Sequence, residues 1–165
     1  MMMNGCCGCC GRAALVKQCL LALNTWTPRL LVGSCLAYMA LDRTRYSLLF
    51  VAGSLLDVAV GKLVKRVVDE GRPATSKKQT RGMPSTHANS LFYFAVSTHL
   101  TLYNAFNNPP SRLLRDAVPA LGYVWAASVA YTRVSLTGDH TPPQVVAGAA
   151  LGTAFALGWH QIALA

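Results

Sequence analysis

Apolar residues in this chain come in long blocks rather than at the spacing of an amphipathic surface helix. Five blocks stand out, at roughly residues 28–41, 47–64, 88–106, 117–132 and 144–163. A helix needs about 20 residues to cross the hydrocarbon core, with a lower limit near 17. The third and fifth blocks meet that length. The second meets it if Asp57 faces a bundle interior, and the fourth borrows Val134 and Leu136. The first spans only with Thr25, Trp26, Thr27 and Arg29 at the interface, the Arg side chain reaching for water. Ahead of it, residues 13–24 (AALVKQCLLALN) carry one charge, Lys17. They read as an interfacial helix or as the start of a longer first span. The pattern predicts an all-α, integral-membrane bundle of five to six helices. A Cys-rich N-terminal tail with that interfacial segment occupies 1–24, and one membrane domain occupies 25–165. No cleavable signal is expected, because Met1-Met2-Met3 lacks a positive n-region.

Composition supports the membrane. The 165 residues are 53% hydrophobic and 13% charged, too apolar for an ordinary soluble domain of this size. A net charge of +9 on a soluble protein would raise nucleic acid as a partner. Here Lys and Arg fall between apolar segments, so no nucleic acid is expected, and anionic lipid or a phosphate substrate is favoured. Cys6, Cys7, Cys9 and Cys10 are too closely paired for a zinc ribbon; beside a membrane helix they suit S-acylation or a reduced tail. Cys19 and Cys35 lie in apolar runs, so no disulfide framework is implied. His99 and His160 read as packing or interface residues, and Trp26, Trp125 and Trp159 as interfacial or core residues. Asp57 reads as an intramembrane carboxylate with a structural partner in the bundle, Lys62 and Lys65 being near in sequence.

Counting crossings places residues 65–86 on one membrane side, loop 107–116 opposite, and residues 133–143 on the first side again. The two loops richest in unusual polar residues therefore share a face, which supports one composite site. Arg43, Arg45, Arg112 and Arg115 balance them on the other side, so the positive-inside count favours neither orientation.

In KRVVDEGRP, Lys65 and Arg72 are seven apart, about two helical turns, which predicts both on one helix face with Pro73 stopping the helix. Such a pair clamps a tetrahedral dianion, or forms a basic helix end. The connector ATSKKQTRG reads as flexible, with Lys77, Lys78 and Arg81 solvated or near headgroups. In GMPSTHANS, Pro84 fixes the chain before a helix start and Ser85 is a natural N-cap. Free N–H groups there, with the Ser85 hydroxyl, make an anion nest beneath His87. In YTRVSLTGDHTPPQVVAG, Arg133 ends the fourth helix, and His140 follows a Gly138-Asp139 turn. Three cations, a hydroxyl, a nest and two imidazoles suit phosphoryl transfer, one His attacking phosphorus and the other protonating the leaving group. No acidic or Cys/His cluster suggests a metal, and no cofactor is expected.

These residues resemble the type 2 phosphatidic acid phosphatase (PAP2) superfamily, whose three motifs run K-x6-RP, PSGH and SR-x5-H-x3-D. The chain has Lys65 with Arg72-Pro73, then Pro84-Ser85-Thr86-His87, then Thr132-Arg133 with His140 and Gln144. It looks most like the plastid-type plant lipid phosphate phosphatases and the dolichyl diphosphatases, which share the small hydroxyl residue and the final Gln. The resemblance implies a PAP2-like bundle and a metal-free lipid phosphate phosphatase. His140 would be the nucleophile, Gln144 would orient it, and His87 would serve as acid and then base. Lys65, Arg72, Ser85, Arg133 and an N–H near Thr86 would hold phosphoryl oxygens. The substrate would be phosphatidate or a related lipid phosphomonoester, alternatively a polyprenyl diphosphate, in the endoplasmic reticulum or a plastid. One departure stands out. Six residues separate Arg133 from His140, where the pattern has five. Either Gly138 allows a bulge that restores register, or His140 is displaced and the site has lapsed.

Overall fold

The computed structural model describes residues 7–41, 43–104 and 112–164. They form five helices: α1 (Cys7–Leu41), α2 (Arg45–Val68), α3 (Thr86–Asn104), α4 (Arg112–Tyr131) and α5 (Pro142–Leu164), with a π-helical turn, Thr132–Leu136, closing α4. No strand occurs among the described residues. Helices α2 and α5 are each long and apolar enough to cross a membrane on their own. The molecule is an integral-membrane helical bundle.

The outward faces are apolar: Leu48, Leu55, Leu56, Leu63 and Val67 of α2 are exposed. Its inward stripe is small or polar instead, with Ser47, Gly53, Ser54, Asp57 and Gly61 buried. This is the distribution a lipid solvent selects, because helix association in a bilayer relies on close backbone approach and interhelical hydrogen bonds. The tightest seam joins α3 to α5. A Cβ on Gly148 would fall 2.5 Å from the Ser85 carbonyl oxygen, and one on Gly152 would collide with that of Asn89. Two glycines four apart thus let α5 lie against the backbone of α3. Gly53 gives the same room to Tyr93 and Trp159, whose hydroxyl and Nε1 donate to the carbonyls of Phe50 and Leu49. Asp57, 1% exposed, faces inward. Its partner is not a lysine: Asn89 Nδ2 donates to Asp57 Oδ2 at 2.7 Å, joining α2 to α3.

Helix α1 runs unbroken past residue 24, the expected start of the bundle, and through Pro28. The hydroxyls of Thr25 and Thr27 donate to the carbonyls of Leu21 and Leu23 in the turn before the proline. Such back-bonding lets a membrane helix tolerate proline. Thr27 also accepts from Trp125 Nε1, and Arg29 stacks over Trp26. Cys6 lies outside the described residues, and of Cys7, Cys9 and Cys10 only the backbone is described.

The end of α2 corrects one expectation. The helix stops at Val68, not at Pro73, and Asp69 caps it in the left-handed conformation at φ 50°. Lys65 and Arg72 therefore do not share a helix face. Asp69 ends the ladder with its N–H on the Lys65 carbonyl, and Gly82 N–H bonds the Glu70 carbonyl. The chain crosses the end of the bundle instead of continuing the axis of α2.

Candidate active site

The loop after α2 and the segment between α4 and α5 meet at one end of the bundle. Arg72 Nη1 donates to the Asp139 carbonyl at 2.8 Å, and Thr75 Oγ1 to that of Gly138 at 3.1 Å. The basic connector is strapped down rather than free. Lys78 pairs with Asp139 at 2.9 Å, and Arg81 pairs with Asp69. Burial raises the Asp139 carboxyl, but Lys78, Arg133 and Ser76 outweigh it and hold the group below the usual carboxylate range.

The π-turn explains how six residues fit between Arg133 and His140. Thr137 N–H bonds the Thr132 carbonyl, a ring one residue wider than an α-helical one. Gly138 then reverses the chain at φ 61°, a conformation that favours glycine. Asp139 and His140 both return their N–H groups to the Arg133 carbonyl. The extra residue is taken up by the wide turn, and the imidazole of His140 points into the cationic end.

The hydrogen bonds around His140 fix its chemistry. Gln144 lies in the first turn of α5 and is 1% exposed. Its Oε1 is 3.3 Å from Thr141 N–H, which can only donate, and its Nε2 is 2.8 Å from the Gly71 carbonyl and 2.7 Å from Glu70 Oε1, which accept. The amide orientation is thereby set. Since Oε1 also faces His140 Nδ1 at 3.2 Å, that nitrogen carries the hydrogen. Nε2 is therefore unprotonated and accepts from Arg72 Nη1 at 3.0 Å and Arg133 Nη2 at 3.3 Å. Burial, then the charges of Arg133 and Arg72, push the imidazole down to about 4, so it is neutral at pH 7. A buried neutral imidazole with its unprotonated nitrogen between two guanidiniums sets a base beside two fixed positive charges.

The remaining expected residues close around it. Ser85 stands at the N-cap position of α3 and its N–H donates to the Gln144 carbonyl, but its hydroxyl makes no capping bond. The first ladder bond of α3 runs from Asn89 N–H to Ser85, so the N–H groups of Thr86, His87 and Ala88 are not used by the helix. Ser85 Oγ and Arg133 Nε are buried with no protein partner. Leaving such donors unpaired costs about 1–3 kcal/mol each, which suits a site that receives an acceptor. Lys65, in the last turn of α2, lies within electrostatic reach of Arg72, Arg133 and Lys78, and His87 within that of Arg133, Lys78 and His140. Lys78, expected to be solvated or near headgroups, is half-exposed and paired with Asp139, and nothing in the local pattern marks Glu70.

Beside His87 an apolar groove of about 430 Å³ runs between α1, α2 and α3, within the range of ligand sites. Leu31, Leu36, Leu55, Val58 and Phe94 line it.

A family model described as the PAP2 superfamily matches residues 46–165. The chain is 30% identical over 149 residues to dolichyldiphosphatase 1 of Rhinolophus ferrumequinum, covering 85% of this chain and 62% of that protein. It is 32% identical over 152 residues to dolichyldiphosphatase 1 of Mus musculus, covering 87% and 63%. It is 30% identical over 142 residues to the chloroplastic lipid phosphate phosphatase epsilon 1 of Arabidopsis thaliana, covering 85% and 48%. The chain thus spans roughly half to three-fifths of the length of these relatives. No solved structure matches it.

Proposed function

Because the chain belongs to the PAP2 superfamily, we propose that it is a membrane phosphatase that removes the terminal phosphoryl group of a lipid phosphate, phosphatidate or a related phosphomonoester, through a phosphohistidine. The observation that carries this reading is His140 Nε2, an unprotonated ring nitrogen that accepts from the guanidiniums of Arg72 and Arg133, donors that a phosphoryl group would draw onto its own oxygens. The lone pair attacks phosphorus as the P–O bond to the leaving group breaks. Burial and the charges of Arg133 and Lys78 push the His87 imidazole down to about 3, so it is neutral before substrate arrives; the bound phosphate dianion offsets those charges, and His87 takes up a proton and gives it to the leaving oxygen. Neutral His87 then takes a proton from water, whose oxygen bonds phosphorus while the P–N bond breaks and its electron pair returns to His140. Lys65, Arg72, Arg133, Ser85 Oγ and the Thr86 N–H hold the phosphoryl oxygens. Gln144 is the positioning residue for His140. The step needs no metal in this scheme, since the cations supply the positive charge.

The groove next to His87 supports a lipid: the chains lie among Leu31, Leu55 and Phe94 while the head group reaches the polar end. We take residues 25–165 as one domain. A polyprenyl diphosphate is the second reading. It is favoured by Lys78, a further cation one residue from His140 through Asp139, and by the names of the two mammalian relatives. A plastid membrane is favoured by the plant relative's name, with the endoplasmic reticulum as the alternative.

The test is phosphate release by the detergent-purified chain in EDTA, with phosphatidate and a polyprenyl diphosphate compared. Release under chelation, faster from phosphatidate, is expected. Release from neither, or its loss on chelation, would contradict the reading.

A further inference from the structure

An amide can hold the tautomer of His140, but it carries no charge to balance the imidazolium character that develops when Nε2 bonds phosphorus. A carboxylate in the same place would supply that charge. The fold supplies one from elsewhere. Glu70 lies two residues before Arg72, in the segment that Asp69 turns across the bundle end. Its Oε1 is 2.7 Å from Gln144 Nε2, and Gln144 Oε1 is 3.2 Å from His140 Nδ1. Every hydrogen along this line has one direction, because Thr141 N–H and the Gly71 carbonyl fix the amide.

We propose that Glu70 is a positioning residue of the site, the anionic end of a chain from Glu70 through the Gln144 amide to His140 Nδ1. The proposal rests on the phosphatase reading above. It divides one carboxylate's task between two residues: Gln144 orients the ring, and Glu70 polarises the amide and provides the negative end. Lys65, Arg72 and Arg133 face His140 from the cationic side, and Asp139 is already paired with Lys78 and Arg133. Glu70 is therefore the acid whose charge reaches Nδ1 through hydrogen bonds. Its carboxylate is solvent-exposed, so screening keeps the effect moderate.

The test uses Glu70→Gln, which keeps size and an acceptor while removing the charge, made in the wild-type chain and with Gln144→Asp. In the wild-type background kcat falls about tenfold with KM within twofold, the cost typical of losing an outer-shell partner. In the Gln144→Asp background, where a carboxylate faces the ring directly and would repel Glu70, the same change costs less than twofold or raises kcat. Equal losses in both backgrounds, or no loss in the first, would overturn the proposal. A second readout needs no turnover: nitrogen-15 NMR of labelled histidines in detergent. Removing the anion should move the His140 titration midpoint to lower pH, whereas a purely structural contact would leave it unmoved and sink the idea. A wild-type chain that releases no phosphate would fail the phosphatase reading, and the NMR midpoint would still decide the role of Glu70.

Discussion

Two carboxylate–amide pairs stand in this molecule with the same 2.7 Å hydrogen bond. One is Glu70 with Gln144 at the bundle end, and the other is Asp57 with Asn89 between α2 and the first turn of α3. At Gln144 all four bonding capacities of the amide are used, and the chain continues to His140. At Asn89 the nitrogen serves Asp57 but the amide oxygen is idle: Asn89 Oδ1 and Asp57 Oδ1 are buried with no partner. The first pair sits where the backbone is irregular, after a left-handed cap and a π-turn. The second bridges two regular helices. A polar pair in a membrane bundle is thus a fastener or part of a site according to what the far end of the amide touches.

The largest expected contrast is between chemistry and scaffold. His140→Ala should lower phosphate release by about 10³-fold or more, with the melting temperature in detergent nearly unchanged. Retained turnover would remove His140 from the nucleophile's role. Gly152→Val should do the opposite. Its side chain meets the Asn89 carbonyl across the α3–α5 seam, and overpacking of that kind costs about 1–3 kcal/mol or more. A thermal melt would show the loss, while kcat per folded molecule holds. The comparison sharpens further by titration. His140 is pushed down to about 4 by burial and its guanidinium neighbours, so NMR should find it neutral as pH falls through 6.5 and protonated only near 4. A midpoint at or above 6.5 would contradict the proposed cluster. The smallest effect belongs to the Asp57–Asn89 pair. Asp57→Asn should change stability by about 1 kcal/mol, the scale of interhelical hydrogen bonds in membranes, and kcat by less than twofold. A hundredfold loss of kcat there would erase the distinction between fastener and site.

Much of the bundle was legible because run length is a direct signal of a membrane span: the blocks at 47–64 and 144–163 fall inside α2 and α5. The continuity of α1 through Pro28 was not, since it depends on Thr25 and Thr27 bonding back to Leu21 and Leu23. Pro73 looked like the stop for α2, but the left-handed Asp69 ends the helix four residues earlier. The residues Arg72, Arg133, His140 and Gln144 stood out by spacing, and the structure brings their side chains together. Glu70 did not stand out, because in VVDEGR it reads as one more exposed charge, and only the arrival of α5 gives it a partner. The anomaly of spacing before His140 was visible, with Gly138 as the natural hinge. The wide turn that absorbs it was not, because it is set by the Thr137 to Thr132 bond rather than by any local propensity.

The most direct measurement is to quench the chain in alkali during turnover of a lipid phosphate and locate covalent phosphate by mass spectrometry. A phosphoryl group on the His140 ring, absent in His140→Ala, is the predicted result. Phosphate found on Ser85 or His87, or hydrolysis with no phosphoryl-enzyme while His140→Ala stays active, would contradict the account.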